Sequence, residues 1–194
     1  GFLEDITKKI TPLLRFICSI TSGFIFIYLT EISLTSIGII GIDQLLSYYI
    51  ISVMFTIFCI SGLTNSINII DGFNGLASGS IMIMMATFLY ISLAHNDHLI
   101  SSLCTVFILS NIGFLIFNFP FGKIFLGDGG AYFSGFFLSI IAILLPERNS
   151  EISPWVSLLV CSYPIFETIV SMYRKTKRKG HHFSKPDKLH LPML

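Results

Sequence analysis

The sequence contains little charge. Asp, Glu, Lys and Arg make up 12% of its 194 residues, whereas apolar residues make up 53% and the mean hydropathy is +0.80. A soluble domain carries about twice this proportion of charge, so the composition excludes an ordinary soluble globular protein. We therefore expect an all-α, polytopic membrane protein whose helices form a transmembrane bundle.

Cysteine motifs and an N-terminal signal are also missing. The four cysteines lie singly inside apolar runs without C-x-x-C spacing, which indicates neither a zinc site nor a disulfide framework. The chain starts with Gly rather than Met, and no signal-like segment precedes the first apolar run. We expect one membrane-embedded domain over residues 1–194 that is incomplete at both ends.

Six apolar runs have about the 20 residues that a helix needs to cross the hydrocarbon core of a bilayer. They cover residues 12–30, 45–63, 72–94, 99–119, 129–146 and 154–173. The first contains Arg15, whose long side chain can reach the interface. The last contains Glu167, which we interpret as a structural partner in helix packing, and the other four contain no charged residue.

Alternation of these six spans predicts a strong asymmetry of basic residues. One side of the membrane receives residues 1–11, 64–71, 120–128 and 174–194, and eleven of the twelve Lys and Arg residues lie on or next to it. The positive-inside rule assigns this side to the cytoplasm. The candidate chemistry falls on the same side, so we expect a single cytoplasmic-face site assembled from loops distant in sequence.

The stretch N-S-I-N-I-I-D-G-F-N-G-L, residues 65–76, is the least lipid-like part of the chain. Asn65, Asn68 and Asp71 are three residues apart, and a three-residue step turns a helix by roughly 60°, so we expect them on one sector of a helix. Unpaired amides and carboxylates are costly at membrane depth. The pattern therefore indicates a binding site at a water-filled mouth.

Asn74 is expected to cap the next span. The free N–H groups and the positive dipole end of that helix would then face a phosphate. Gly75 and Gly79 permit close approach of the backbone, but they also form a G-x-x-x-G pair, for which helix packing in the bilayer is the alternative interpretation.

The segment N-F-P-F-G-K-I-F-L-G-D-G-G-A-Y, residues 118–132, repeats this arrangement. Lys123 supplies positive charge, and Asp128 precedes two glycines at the expected start of a helix. Such a carboxylate suits magnesium diphosphate, because the carboxylate binds the ion and the helix amides face the phosphate oxygens. The alternative is an ordinary Asp N-cap.

The two ends of the chain contain further candidates. Glu4 and Asp5 are adjacent carboxylates that suit general acid-base or metal-dependent chemistry, although solvated charges at a helix end are the alternative. Basic residues 174–179 are typical topological anchors. That role does not explain Asp187 and His190, which we expect to contact a phosphate-bearing substrate.

Four stretches together resemble the polyprenyl-phosphate N-acetylhexosamine-1-phosphate transferases, also called glycosyltransferase family 4. The opening G-F-L-E-D-I-T-K is similar to the family's G-F-x-D-D-x-x-K block, and the centre to N-x-x-N-x-x-D-G-x-x-G-L. The segment I-F-L-G-D-G-G is similar to F-x-G-D-x-G, and the tail P-D-K-L-H to P-D-x-x-H-x-H-H.

The resemblance implies a glycosyl-1-phosphate transferase of the bacterial cytoplasmic membrane. Such an enzyme transfers an N-acetylhexosamine 1-phosphate from a UDP-sugar to undecaprenyl phosphate, releases UMP, and initiates a cell-envelope polysaccharide such as O-antigen or teichoic acid. It implies Mg²⁺ as the cofactor, with Mn²⁺ as a candidate substitute. The expected partners are the two substrates, the lipid bilayer and a second copy of the chain; nucleic acid is not expected.

The resemblance also assigns roles to individual residues. Catalytic roles go to Glu4, Asp5, Asp71 and Asp128. Substrate contacts go to Lys8, Asn65, Asn68, Asn74, Lys123, Asp187 and His190. The expected metal ligands are Asp128 and Asn68. The acidic pair would activate the polyprenyl phosphate, and the tail would close over the sugar or diphosphate.

Three alternatives remain. A phospho-N-acetylmuramoyl-pentapeptide transferase belongs to the same family, but the P-D-K-L-H tail argues against it. An inactive membrane scaffold is favoured by Glu4 in place of the first Asp and by Pro192 and Met193 in place of further histidines. A transporter would have polar residues throughout its spans, whereas here they gather at one face.

Overall fold

The computed structural model describes residues 12–177, apart from the side chain of Pro12, and this part of the chain forms eight α-helices and no strand. The helices are α1 (Pro12–Thr30), α2 (Ile40–Leu46), α3 (Tyr49–Ile70), α4 (Leu76–Ala94), α5 (His98–Asn118), α6 (Gly127–Arg148), α7 (Pro154–Val160) and α8 (Ser162–Lys177). The prediction of an all-α protein is confirmed.

Five helices, α1 and α3 to α6, are long and apolar enough to cross a membrane. Helices α7 and α8 pass the same test only together, and they are bent by 63° at the break between them. The break coincides with Pro164, whose ring excludes the hydrogen bond to the carbonyl four residues earlier, at Val160. The sequence therefore predicted the apolar runs, but the sixth corresponds to a bent pair of helices rather than to one straight helix.

The second predicted span, residues 45–63, is wrong at both ends, because α3 runs from Tyr49 to Ile70. Thr64, Asn65 and Ser66 each donate a side-chain hydrogen bond of 2.6–2.8 Å to the carbonyl four residues earlier. These bonds satisfy the polar side chains inside the helix, so polar residues do not end it. The connection to the next span therefore begins at Asp71 rather than at residue 64, and Asn65 lies within α3.

Helix α3 lies at the centre of the bundle, in contact with α1, α2, α4, α6 and α8. Ile60 and Ile67 on α3 have no exposed surface. Helix α6 approaches it closely at Gly135, where an added Cβ would lie 2.9 Å from the Thr64 carbonyl oxygen. Small residues permit such backbone contact between membrane helices. The outer helices expose large apolar side chains, as lipid-facing helices do.

The polar contacts show which connecting segments lie at each of the two ends of the helix bundle. At one end, the Thr35 amide donates to Glu147 Oε1 (3.3 Å), and Arg148 Nε donates to Asp97 Oδ2 (2.9 Å). At the other end, which we call the site end, lie Arg15, the segment 71–75 and the segment 119–128. This grouping follows the predicted alternation of the spans. All four cysteines lie among the described residues and are unpaired.

Candidate functional site

Asp128 connects three helices at the site end. It lies in the first turn of α6 and is partly buried. Asn68 Nδ2, from the last turns of α3, donates to Asp128 Oδ1 at 3.0 Å. Arg15 Nη1, from the start of α1, lies 3.3 Å from Asp128 Oδ2. The structure therefore brings Asn68 and Asp128 together. It also places the Arg15 guanidinium beside them, although the sequence predicted that this side chain reaches the membrane interface.

The helix end at Asp128 differs from an Asp N-cap. Leu126 occupies the N-cap position of α6, and no side chain makes a capping hydrogen bond there. The Asp128 carboxylate is instead directed to side chains of α1 and α3. The alternative interpretation of Asp128 as an ordinary capping residue is therefore wrong, because both of its oxygens bond other helices.

Asp71 supplies a second carboxylate near Asp128. It follows α3 as its C-cap residue, with φ −75° and ψ 61°, so the predicted helical sector holds for Asn65 and Asn68 but not for Asp71. Burial, and secondly the negative charge of Asp128, raise the pKa of Asp71 to about 6. The negative charges of the two carboxylates therefore act on each other at the site end.

Asn65 lies one helical turn before Asn68 and bonds three segments. Its Nδ2 donates to the Ser61 carbonyl (2.7 Å) and to Ser19 Oγ on α1 (3.1 Å). Its Oδ1 accepts from the Tyr132 hydroxyl on α6 at 3.5 Å. In this structure Asn65 therefore ties α1 and α6 to α3 below the carboxylates.

Asn118 joins the two loops of the site end. It is only 4% exposed, its Oδ1 accepts from the Gly75 amide at 2.6 Å, and its Nδ2 donates to the Ile124 carbonyl at 2.8 Å. Gly75 has φ 79°, and an added Cβ there would lie 2.9 Å from the ring of Phe119. Both the side-chain bridge and the glycine are needed for this close approach. Asn118 is the first residue of the motif over residues 118–132, but the sequence pattern did not predict this bridging role.

The expectation that Asn74 caps α4 is wrong. Gly75 is the N-cap residue of α4, and it makes no side-chain capping bond. Asn74 instead lies against Gly122, where an added Cβ would come within 2.5 Å of Asn74 Nδ2. The left-handed backbone of Gly75 turns the chain so that the Asn74 side chain packs on the neighbouring loop. Lys123 is exposed in that loop, at the site end as predicted.

The donor set fits a magnesium ion that is shared with a substrate. Among residues 12–177 no group of three His, Cys, Asp or Glu side chains forms a site by itself. Mg²⁺, however, is usually held by one or two carboxylates, with phosphate oxygens and water completing its shell. Asp128 is such a carboxylate, the Asn68 amide is adjacent to it, and Asp71 adds negative charge nearby. The site therefore suits a metal diphosphate better than a free ion.

Five predicted site residues lie outside the described part of the chain, and their roles stay predictions: Glu4, Asp5, Lys8, Asp187 and His190. Glu167, which the sequence analysis assigned to structure, accepts a hydrogen bond of 3.0 Å from Arg174 Nη2 within α8. This pairing is consistent with the structural interpretation.

The comparisons with known proteins show the family of this chain. The family described as Glycosyl transferase family 4 has a model that matches residues 1–146, which include every described site residue named above. The chain is 39% identical over 137 residues to a probable undecaprenyl-phosphate N-acetylglucosaminyl 1-phosphate transferase of Bacillus subtilis, covering 70% of this chain and 38% of that protein.

Two further relatives are named phospho-N-acetylmuramoyl-pentapeptide-transferase. The protein of Streptococcus uberis is 31% identical over 193 residues, covering 92% of this chain and 55% of that protein. The protein of Streptococcus thermophilus is 31% identical over 194 residues, covering 92% and 54%. The chain thus spans about half the length, or less, of these relatives.

Proposed function

The chain belongs to glycosyl transferase family 4, a family of membrane sugar-1-phosphate transferases, and on that basis we propose that the protein transfers a sugar 1-phosphate from a UDP-sugar to undecaprenyl phosphate. The proposed sugar is an N-acetylhexosamine, and UMP is released. One observation carries the proposal: Asn68 donates to Asp128, 60 residues further along the chain, and the charge of Asp128 also acts on Asp71 at the same end of the helix bundle.

The proposed reaction is a direct displacement at phosphorus. An oxygen of the lipid phosphate forms a bond to the β-phosphorus of the UDP-sugar, the bond from that phosphorus to the bridging oxygen breaks, and UMP leaves with the electron pair. In such a transfer the protein mainly positions the reactants and neutralises charge. We prefer this route, and a covalent aspartyl-phosphate intermediate is the alternative.

Each residue of the site has its own role in the proposed transfer. Asp128 would hold the magnesium ion, with Asn68 as a second contact, and Asp71 and Asn65 would shape the nucleotide-sugar pocket. When bound, Mg²⁺ supplies positive charge that offsets the negative charge of the diphosphate in the transition state. Lys123 and the helix N-terminus of α6 add positive potential at the same end.

The position of the site at one end of the spans suits the two substrates. A soluble UDP-sugar can meet a lipid whose phosphate lies at the membrane interface only where polar groups open to that interface. The excess of Lys and Arg in the segments at this end assigns it to the cytoplasmic side. We therefore place the proposed reaction on the cytoplasmic face of a bacterial membrane, at the start of envelope polysaccharide synthesis.

A second candidate substrate is a UDP-muramoyl-pentapeptide. The similarity of two streptococcal pentapeptide transferases extends over 92% of the chain, further than that of the Bacillus relative. The higher identity of the Bacillus relative and the P-D-K-L-H tail favour the N-acetylglucosamine donor. The two candidates share the site chemistry and differ only in the group attached to the UDP.

The test uses membranes that contain the product of the complete reading frame. Labelled UDP-N-acetylglucosamine and UDP-muramoyl-pentapeptide are each supplied with undecaprenyl phosphate, with and without Mg²⁺ or Mn²⁺. We expect lipid-linked product from the first donor, only with a divalent ion, and a rate at least about 10²-fold lower for Asp128→Asn. Product from the second donor alone would select the other candidate, and product from neither would favour the scaffold.

Asp43→Asn is the matched control. Asp43 lies in α2 at the opposite end of the bundle, where its Oδ1 accepts from the Ile37 amide at 2.7 Å. The substitution removes one carboxylate charge, as Asp128→Asn does, but in the helix that precedes the start of α3, whereas the site lies past its end. Full activity of Asp128→Asn, or equal loss in both variants, would contradict the assignment of Asp128.

A further inference from the structure

Both oxygens of Asp128 are occupied in the structure. Oδ1 accepts from Asn68 Nδ2 at 3.0 Å, and Oδ2 lies 3.3 Å from Arg15 Nη1. The side chains of Arg15 and Asp128 are 25% and 32% exposed, so the ion pair is only partly screened by water. A divalent ion that binds this carboxylate must therefore displace at least one donor.

Of the two donors, Arg15 is the one that could bind a phosphate of the substrate after the metal ion displaces it from Asp128. Its planar guanidinium matches the geometry of phosphate as well as that of carboxylate. A metal ion next to Asp128 would repel the guanidinium, since both are positive. A diphosphate that arrives with the metal ion would offer Arg15 a new anionic partner at the same place.

We propose that Arg15 is a positioning residue that couples metal binding to diphosphate binding. It pairs with Asp128 when no substrate is present and transfers to a phosphate oxygen of the substrate when a divalent ion takes the carboxylate. The inference rests on the proposed function, because it takes Asp128 as the metal ligand. Its consequence is that the metal binds weakly alone and tightly with a diphosphate.

Coupling of this kind is reciprocal. If the diphosphate raises the metal affinity by some factor, the metal raises the diphosphate affinity by the same factor, and typical factors are about 5- to 150-fold. Removal of the Arg15 charge would act on the two sides oppositely. The metal alone would bind more tightly, because Asp128 loses its competing cation, whereas the diphosphate would lose a partner.

The experiment measures Mn²⁺ binding by electron paramagnetic resonance, with the purified product of the complete reading frame. Titrations are made with and without UDP, which supplies the diphosphate without a transferable sugar. We expect Arg15→Gln to bind Mn²⁺ alone about 5-fold more tightly than the unmodified protein. UDP should then raise its Mn²⁺ affinity by a factor at least about 5-fold smaller than in the unmodified protein.

Two variants control for charge and for folding. Arg15→Lys keeps the positive charge without the fork, so it should bind Mn²⁺ alone as weakly as the unmodified protein and keep part of the coupling. Lys175→Gln removes one exposed charge from α8 and should change neither titration. An equal effect of Lys175→Gln would show a nonspecific charge effect and overturn the inference.

Asp128→Asn separates the two proposals. If Asp128→Asn leaves Mn²⁺ binding intact, the metal assignment fails and the inference about Arg15 fails with it. If Asp128→Asn abolishes Mn²⁺ binding but Arg15→Gln neither tightens it nor reduces the effect of UDP, only the role of Arg15 is refuted. Because Arg15→Lys retains the charge, it still tests the coupling should Arg15→Gln fail to fold.

Discussion

The bridge formed by Asn118 leads to a prediction about how the two loops of the site act together. Asn118→Ala removes the acceptor of the Gly75 amide and the donor to the Ile124 carbonyl. The Gly75 amide is half-buried, and an unsatisfied buried donor costs about 1–3 kcal/mol. Ile124 is exposed, so its carbonyl can bind water and adds little to the cost. We therefore expect the free energy of unfolding to fall by about 1–3 kcal/mol.

The effect on activity should exceed the effect on stability. Gly75 follows Asp71 by four residues, and Ile124 precedes Asp128 by four, so the bridge sets the distance between the segments that carry the two carboxylates. A displacement near 1 Å at reacting groups costs about 10²-fold in rate. We expect the rate of lipid-linked product formation to fall by about 10- to 100-fold at a temperature where the variant is folded.

Asn111→Ala provides the matched control. Asn111 lies on the same helix, is 7% exposed, and donates its side-chain hydrogen bond to the Phe107 carbonyl of that helix at 3.1 Å. Unfolding can be followed with a thiol-reactive dye, because Cys104 and Cys161 are 0% and 2% exposed in the folded protein. Equal loss of activity in the two alanine variants would refute the view that Asn118 positions the site.

Two further predictions concern pH and helix packing. The pKa of Asp71 is raised to about 6, so its carboxylate is charged above that pH and adds negative charge near the metal ligand Asp128. We expect Mn²⁺ affinity to fall by up to about fourfold between about pH 7.5 and about pH 5.5, because Asp71 takes up a proton. An equally steep profile for Asp71→Asn would contradict this cause. Gly135→Ala places a Cβ 2.9 Å from the Thr64 carbonyl oxygen and should lower the free energy of unfolding by about 1–3 kcal/mol, measured by thermal unfolding. Gly113→Ala meets nothing within 4 Å and should not destabilise the protein; an equal loss in both would contradict the packing argument.

The spans could be predicted from sequence because the bilayer sets their length. An apolar run of about 20 residues is visible in any window, and each of the predicted runs corresponds to a helix or a bent helix pair. Their ends could not be predicted. Thr64, Asn65 and Ser66 look like a loop by composition, yet each bonds a carbonyl four residues earlier and continues α3.

Some site residues could be selected from the sequence because their side chains are unusual in a membrane helix. Carboxylates and amides are rare in such a sequence, so Asn68, Asp71 and Asp128 stood out, and the structure brings them together. Arg15 did not stand out as a partner of Asp128, because a basic residue near the end of a span usually reaches the interface. Only the packing of α1 against α3 shows that it faces inward, and no local pattern encodes that contact.

The side-chain contacts that join the helices differ between the two ends of the bundle. Opposite the site, the buried Asp97 carboxylate receives Arg148 and Asn149 together, which joins the turn after α4 to the end of α6. Among residues 12–177, the links at the site end include the hydrogen bonds from Asn68 to Asp128 and from the Gly75 amide to Asn118, and the partly exposed ion pair of Arg15 with Asp128. Substrate binding can therefore rearrange the loops at the site end, while the contacts at the opposite end keep the helices together.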